Sequence, residues 1–297
     1  DKDTGLFYGS QDADESYYQS RNRASLKPPP IDRTIYADRN ALTLSALLRY
    51  ATLTENTEAL RIAKRLANSI IKHLYKRDRG VFHYLDSQKI PRLPGLLMDN
   101  VLFGLSLLDV YEVTADKRFL NLSKEIAKLL VEKHFIKGLL RDSRPALVNP
   151  VTSGMLKKYS LLRSNYYGLL LFSRLQHYTP SYKETLSTLI KELSKTYENL
   201  YFTSSIFARS LLIRSTPVYD IEIIATAESI KPFLQGINAI YLPFKRLRVY
   251  LLNHDETLIN KRGLPPKEGL YICRGKRCFK PISPAMDIAE KLKRIIK

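Results

Sequence analysis

Apolar residues recur at helical spacing through the middle of the chain. Leu60, Ala63, Leu66, Ala67, Ile70, Ile71 and Leu74 mark one face of a predicted amphipathic helix. Shifted by 60 positions, the stripe becomes Leu120, Ser123, Ile126, Ala127, Leu130, Val131 and His134, of which five remain apolar. A looser third copy runs through Leu186, Leu189, Ile190, Leu193 and Tyr197. Each striped helix is preceded by one that is apolar nearly all round, such as Asn165 to Leu175, which predicts burial on both sides. Ile206 to Leu212 predicts a further helix.

Three asparagines set the register of this repeat. Asn40, Asn100 and Asn165 each open an apolar stretch, and Thr54, Thr114 and Thr179 close the same stretches in turns. From 40 to 100 and from 54 to 114 is 60; from 100 to 165 and from 114 to 179 is 65. A helical hairpin repeating in register predicts stacked or ring-arranged helix pairs. About three and a half pairs precede Pro217, whereas a closed ring of six pairs at this repeat needs roughly 360 residues. The expectation is an open arc, or one completed by upstream residues or by a partner.

Outside the repeat the pattern changes. Asp1 to Ala37 is irregular, and Pro28-Pro29-Pro30 forbids helix there. After Pro217, Asp220 to Ala225 predicts a strand, Ile230 to Asn238 a helix and Arg248 to Leu252 a second strand, an order that favours parallel pairing. Tyr271-Ile272-Cys273 adds a strand, and Asp287 to Ile296 a terminal helix after Pro284. The predicted class is mainly α: an (α/α) toroid of helical hairpins over 1–216, incomplete in this chain, with a small α/β appendage over 217–297.

Composition narrows the function classes. Apolar content of 44% and charge of 26% over 297 residues suit an ordinary globular protein. No apolar run approaches the ~20 residues that span a bilayer, so no membrane partner is expected. No basic start followed by an apolar stretch marks a secretory signal, and two cysteines are too few for a disulfide scaffold; a reducing, cytoplasmic setting is the expectation. The net charge of +19 would attract acidic partners, but the basic residues are spread over polar helix faces. Their densest cluster is Lys245, Arg246 and Arg248, then Arg274, Lys276, Arg277 and Lys280, and no RNA-binding module accompanies it. A solvated basic surface is therefore favoured over a nucleic-acid interface.

In a ring of hairpins the inner helices run the same way, so their N-termini gather at one end. Asn40, Asn100 and Asn165 would share that end, with Asp38, Arg39 and Asp99 beside them. Free N–H groups and helix dipoles there suit a hydroxylated or anionic small molecule. The competing reading is that each asparagine simply caps its helix, and the two readings are compatible. Asp12 and Asp14 follow Leu6-Phe7-Tyr8-Gly9 and read either as an acid/base pair or cation holder, or as a plain solvated turn. Of five histidines none has metal-ligand spacing. His73 and His134 are expected to face solvent or cap helix ends, and His83, between Phe82 and Tyr84, is the one candidate general base. Cys273 and Cys278 lie in a basic turn that favours thiolate; they read as a reversible redox pair or as two plain thiols. No phosphate-cradling loop, serine elbow or second cysteine pair for zinc occurs, so no metal or cofactor is expected.

Taken together, Leu6-Phe7-Tyr8-Gly9-Ser10-Gln11-Asp12-Ala13-Asp14, Ile35-Tyr36-Ala37-Asp38-Arg39-Asn40, Pro94-Gly95-Leu96-Leu97-Met98-Asp99-Asn100 and Tyr271-Ile272-Cys273 through Cys278 to Pro281 resemble one family over essentially the whole chain. It is the family of thioredoxin-domain proteins that includes spermatogenesis-associated protein twenty and its bacterial and archaeal relatives. The resemblance implies a thioredoxin-like domain upstream, and a toroid similar to the six-hairpin glycosidases and sugar 2-epimerases. It implies a carbohydrate-active or carbohydrate-binding domain of sugar isomerase or epimerase type, with catalytic roles falling to Asp14 and Asp99 and sugar contacts to Asp12, Arg39, Asn40, Asn100 and Asn165. Two departures stand out: Arg39 replaces the family's usual tryptophan, removing a sugar-stacking platform, and Arg163 and Tyr166 stand where small residues are usual. The alternatives are a non-catalytic helical module serving a thioredoxin-like redox partner through Cys273 and Cys278, and a basic surface for nucleic acid.

Overall fold

A computed structural model describes residues 1–142, 154–196, 203–242, 244–283 and 287–296, with side chains of the 154–159 stretch excepted. Tyr197 and Pro284 lie outside the described residues. A short opening segment carries β1 (Ser10–Gln11), α1 (Glu15–Gln19), β2 (Ile31–Asp32) and β3 (Ile35–Tyr36). The first hairpin is α2 (Ala37–Leu53) with α3 (Thr57–Leu74). A small antiparallel sheet of β4 (Tyr75–Lys76), β5 (Gly80–Leu85) and β6 (Pro91–Pro94), joined by β3, leads to the second hairpin, α4 (Leu97–Thr114) with α5 (Lys117–His134). The ribbon β7 (Phe135–Ile136) with β8 (Leu139–Leu140) leads to the third, α6 (Gly154–Leu175) with α7 (Lys183–Leu193), and α8 (Ser204–Ser215) follows.

The repeat has the arrangement its apolar pattern predicts. Ala59, Ala63, Leu66, Ala67, Ile70 and Leu74 bury one stripe of α3, whose start is capped by Asn56 accepting from the Ala59 amide at 2.8 Å. Asp116 caps α5 in the same way. By contrast α4 is buried on nearly every side. It lies between α2 and α6, and α6 in turn packs on α8. The four inner helices α2, α4, α6 and α8 thus form the concave wall of an open (α/α) arc, with α3, α5 and α7 outside. Gly104 shows how tight the packing is: a Cβ there would meet Leu171 Cδ2 at 3.0 Å. No helix of the described residues is long and apolar enough to cross a membrane.

The asparagines do not cap. The inner helices start three residues earlier, at Ala37 and Leu97, so Asn40 and Asn100 sit in the first turn with Asp38, Arg39, Met98 and Asp99 ahead of them. All three asparagines are fully buried and act as clasps. Asn40 Oδ1 accepts from the Phe7 amide at 2.8 Å while its Nδ2 donates to the Phe7 and Tyr36 carbonyls. Asn100 Oδ1 accepts from the Val81 amide at 3.0 Å and its Nδ2 donates to Leu96 O at 2.7 Å. Asn165 Oδ1 accepts from the Leu140 amide at 2.7 Å, and its Nδ2 donates to Leu140 O and Leu161 O. A carboxamide matches a peptide group donor for acceptor, so each asparagine hydrogen-bonds an extended segment onto an inner helix and satisfies the helix's own carbonyl four residues back.

The C-terminal part builds a four-stranded sheet from β9 (Tyr219–Ala225), β10 (Lys245–Leu251), β11 (Gly269–Arg274) and β12 (Arg277–Cys278), in the order β10-β9-β11-β12. β9 and β10 are parallel, joined through α9 (Ile230–Asn238), as the strand–helix–strand pattern predicts. α10 (Glu256–Lys261) precedes β11, and α11 (Ile288–Ile296) packs on α9. This sheet has its own apolar core around Ile221, Phe233 and Leu270. It docks on the C-terminal ends of the inner helices: Tyr111 donates to Leu247 O at 2.8 Å and Asn238 to Val113 O at 2.9 Å. Two arginines of the basic cluster noted in the sequence are paired here: Arg246 and Arg248 bond Asp220 at 2.6 and 2.9 Å, and Arg262 bonds the buried Glu222 at 2.9 Å.

Cys273 and Cys278 are joined as a disulfide across the β11–β12 hairpin. Arg274, Lys276 and Arg277 around it are exposed. A bridge between residues 5 apart closes a very short loop, for which chain-entropy estimates give about 2 kcal/mol. Dithiothreitol should therefore lower the melting temperature by only a few degrees and leave the sheet intact by circular dichroism; collapse of the strand signal on reduction would contradict this.

Candidate functional site

At the N-terminal end of the arc, three elements bring ionisable groups together. α2 supplies Asp38, α4 supplies Asp99, and β5 supplies His83 from the strand that Asn100 clasps onto α4. The ligand-type atoms of Asp38, His83 and Asp99 all lie within 4.8 Å of one another. Asp99 is 1% exposed, and His83 Nδ1 stands 3.0 and 3.2 Å from its two carboxylate oxygens. Burial raises the Asp99 carboxyl above the usual carboxylate range, opposed by the His83 bond. The Asp99 bond raises the His83 imidazole above its ordinary value, opposed by burial.

Tyr36 and Tyr84 flank the His83 ring at centroid distances of 5.6 and 6.0 Å. Arg39 lies over Tyr36 at 5.0 Å and donates to Gly9 O at 3.1 Å. Asp142 accepts from the Leu97 amide and so caps α4 beside Asp99. With Nδ1 engaged by Asp99, Nε2 is the nitrogen of His83 that no other described residue bonds. A half-exposed imidazole oriented by a buried carboxylate is the arrangement of a general base. The same three side chains also form a donor set for a divalent cation. Sequence spacing could not show that set, because it is assembled from three elements.

The other expected site residues fall elsewhere. Asp14 is the exposed N-cap of α1, accepting from the Tyr17 amide and the Ser16 hydroxyl, and these bonds hold its carboxyl below the usual range. That is the wrong direction for a general acid. Asp12 is exposed and accepts from the Tyr18 hydroxyl at 2.5 Å. Both thus behave as the solvated turn, and neither bonds Asp38, His83 or Asp99. Asn40, Asn100 and Asn165 act as backbone clasps rather than as groups turned toward a ligand, and Asn165 lies midway along α6 rather than in its first turn. His134, expected to face solvent or cap a helix end, is the last residue of α5, 1% exposed, and its Nδ1 bonds Arg141 O at 2.8 Å.

Below the rim, the concave wall encloses a groove of about 620 Å³. Leu42, Leu102, Leu105, Tyr167 and Leu170 make its apolar middle. Its far end, against the C-terminal sheet, carries Lys245 of the basic cluster together with charge not singled out in the sequence: Asp109, Glu112, Arg174 and Arg209. Asp109 and Glu112 lie one turn apart on α4, whereas Arg174, Arg209 and Lys245 come from α6, α8 and β10, and no sequence period shows that these faces meet.

No protein-family model matches the chain, and none of the curated proteins does. Among solved structures, similar chains include a cellobiose 2-epimerase from Bacillus thermoamylovorans B4167, at a TM-score of 0.46 and 15% identity, covering 57% of this chain and 47% of that one. Another is a glycoside hydrolase of family 105 from C. acetobutylicum ATCC 824, at 0.43 and 13%, covering 55% and 49%. A third is a GH76 alpha-mannanase from Bacteroides thetaiotaomicron, at 0.46 and 17%, covering 92% and 72%. This chain therefore spans about half the length of the first two.

Proposed function

We propose that the concave side of the arc holds a sugar and that the His83–Asp99 pair moves a proton on it, in an isomerase- or epimerase-like reaction. The observation that carries this reading is the bond between a buried carboxylate and a half-exposed imidazole, with Asp38 and Asp99 one helical turn before the groove-lining Leu42 and Leu102. His83 Nε2 takes the proton next to the sugar carbonyl, and the C–H electrons pass to the carbonyl oxygen as an enediolate. Return of the proton to the other face of the same carbon completes an epimerisation; return to the neighbouring carbon, as the hydroxyl proton of the first carbon passes to the former carbonyl oxygen, completes an isomerisation. Asp99 accepts from Nδ1–H and stabilises the imidazolium. Asp38 accepts from a sugar hydroxyl. Incubating the full-length protein with aldoses, ketoses and cellobiose in deuterated water, followed by proton NMR, should show loss of the signal next to the carbonyl. Absence of exchange with every sugar would end the reading.

A second reading is that Asp38, His83 and Asp99 hold a divalent cation, favoured by the closeness of their donor atoms. It requires His83 to give up its bond to Asp99, and it is distinguished by loss of exchange on chelation and recovery with added metal. The family resemblance extends the proposal to a thioredoxin-like domain upstream in the same polypeptide and to a cytoplasmic setting, with Cys273 and Cys278 as its thiol partners. Sequencing the coding region ahead of Asp1 tests that extension.

A further inference from the structure

The far end of the groove holds an imbalance of charge. Arg49, Arg174, Arg209 and Lys245 line it together with only two carboxylates, Asp109 and Glu112. Both carboxylates are taken. Arg174 bonds Asp109 at 2.7 Å and Glu112 at 3.0 Å, and Ser45 donates to Asp109 at 2.6 Å. Arg49 rests over the Tyr241 ring at 6.0 Å. Lys245 and Arg209 have no ion pair among the described residues. Burial lowers the pKa of both and neighbouring Arg174 lowers it further, opposed by Glu112 and Asp109 at Lys245 and by Asp109 at Arg209. Four cations facing a groove that holds two carboxylates among the described residues form a site that gains by taking up an anion.

Lys245 opens β10, so the C-terminal sheet supplies it, whereas Arg209 comes from α8 of the arc. The subsite therefore exists only where the two parts of the chain meet, which is a usual place for ligand sites. Asp99 and Asp109 lie ten residues apart on α4, or about 15 Å at the helical rise. A ligand reaching from His83 to Lys245 is thus longer than one sugar ring, and the apolar middle of the groove would lie against its ring faces.

We propose that this end of the groove is an anion subsite, in which Lys245 and Arg209 take the carboxylate or phosphate of an acidic saccharide. The saccharide body rests on the sugar reading above; the anion subsite is testable by itself. Calorimetric titrations of the full-length protein with trigalacturonate, glucose 6-phosphate, inorganic phosphate and uncharged maltotriose separate the cases. The expected result is that the anions bind and weaken with added salt, that maltotriose binds at least about tenfold more weakly than trigalacturonate, and that Lys245→Met and Arg209→Gln each cost the anions about tenfold. Trigalacturonate against glucose 6-phosphate tells carboxylate from phosphate. Lys245→Arg should retain binding, and if Lys245→Met does not fold, Lys245→Arg and Arg209→Gln carry the comparison. Maltotriose binding as tightly as trigalacturonate, or anion binding untouched by Arg209→Gln, overturns the subsite. Phosphate bound through Lys245 with no sugar exchanged at His83 supports the subsite and removes the sugar reading; exchange at His83 without preference for acidic sugars does the reverse.

Discussion

Asn100→Ala should destabilise the protein by about 3 kcal/mol, as much as truncating a buried apolar side chain. The substitution leaves the Val81 amide and the Leu96 carbonyl without their side-chain partner, and Val81 is itself buried. The stranded Val81 amide costs roughly 1–3 kcal/mol and the cavity adds to it, while Leu96 O keeps the backbone amide of residue 100. Asn40→Ala should cost less, about 1–2 kcal/mol, because Phe7 is exposed and water can replace the lost bonds. Gly80→Ala attacks the same clasp from the other side. Gly80 has φ +76, where side chains are strained, and a Cβ would sit 2.5 Å from Asn100 Oδ1. Urea unfolding of the three variants checks the order: Asn100→Ala and Gly80→Ala well below Asn40→Ala. Equal midpoints for Asn100→Ala and wild type would mean the clasp is not what holds β5 to α4.

This clasp also shows where the sequence was legible and where it was not. The 60- and 65-residue spacings predicted hairpins in register, and the striped and all-apolar helices fell outside and inside the arc as their patterns required. The asparagines were found, but polar residues ahead of an apolar run look the same whether they cap a helix or fill its first turn. Their real partners lie 33, 19 and 25 residues upstream, too variable to register as a repeat. The local trace of those partners is a left-handed glycine just before the clasped segment, Gly5, Gly80 and Gly138, in each case within two residues of the bonded one. The His83–Asp99 pair was half visible: both residues were candidates, yet a contact between a strand and the next helix has no sequence period. Asp12 and Asp14 looked functional because a family motif contained them, whereas their bonds are all local. At the far end of the groove, Lys245 was seen as part of a basic run on one strand; β10 alternates its faces, so Arg246 and Arg248 meet acids of β9 and the arc claims Lys245.

If the proposed chemistry is right, Asp99→Asn should lower the rate of proton exchange by about a thousandfold while leaving sugar binding and the helical fold nearly unchanged. An amide keeps the shape of the carboxylate but cannot carry the charge that stabilises an imidazolium on His83. The pH dependence follows from the same bond. In the wild type the Asp99 carboxylate raises the His83 pKa, so the rate should climb with pH through a value above the ordinary ~6.5 as the base form appears. In Asp99→Asn the residual rate should climb at lower pH. Stability should move the opposite way. A proton held more tightly in the folded state stabilises it fully below the unfolded value of ~6.5, and that contribution is lost as pH rises through the raised folded value. Asp99, raised by burial, acts in the same sense from its own lower starting point. Wild-type stability should therefore fall with rising pH across that window, and the Asp99→Asn curve should be flatter. Exchange rates and urea midpoints measured between pH 5 and 9, within the range His83 titrates over, decide the matter. A variant that loses activity while keeping the wild-type pH profile in both would show that Asp99 only holds His83 of β5 in place and takes no part in moving the proton.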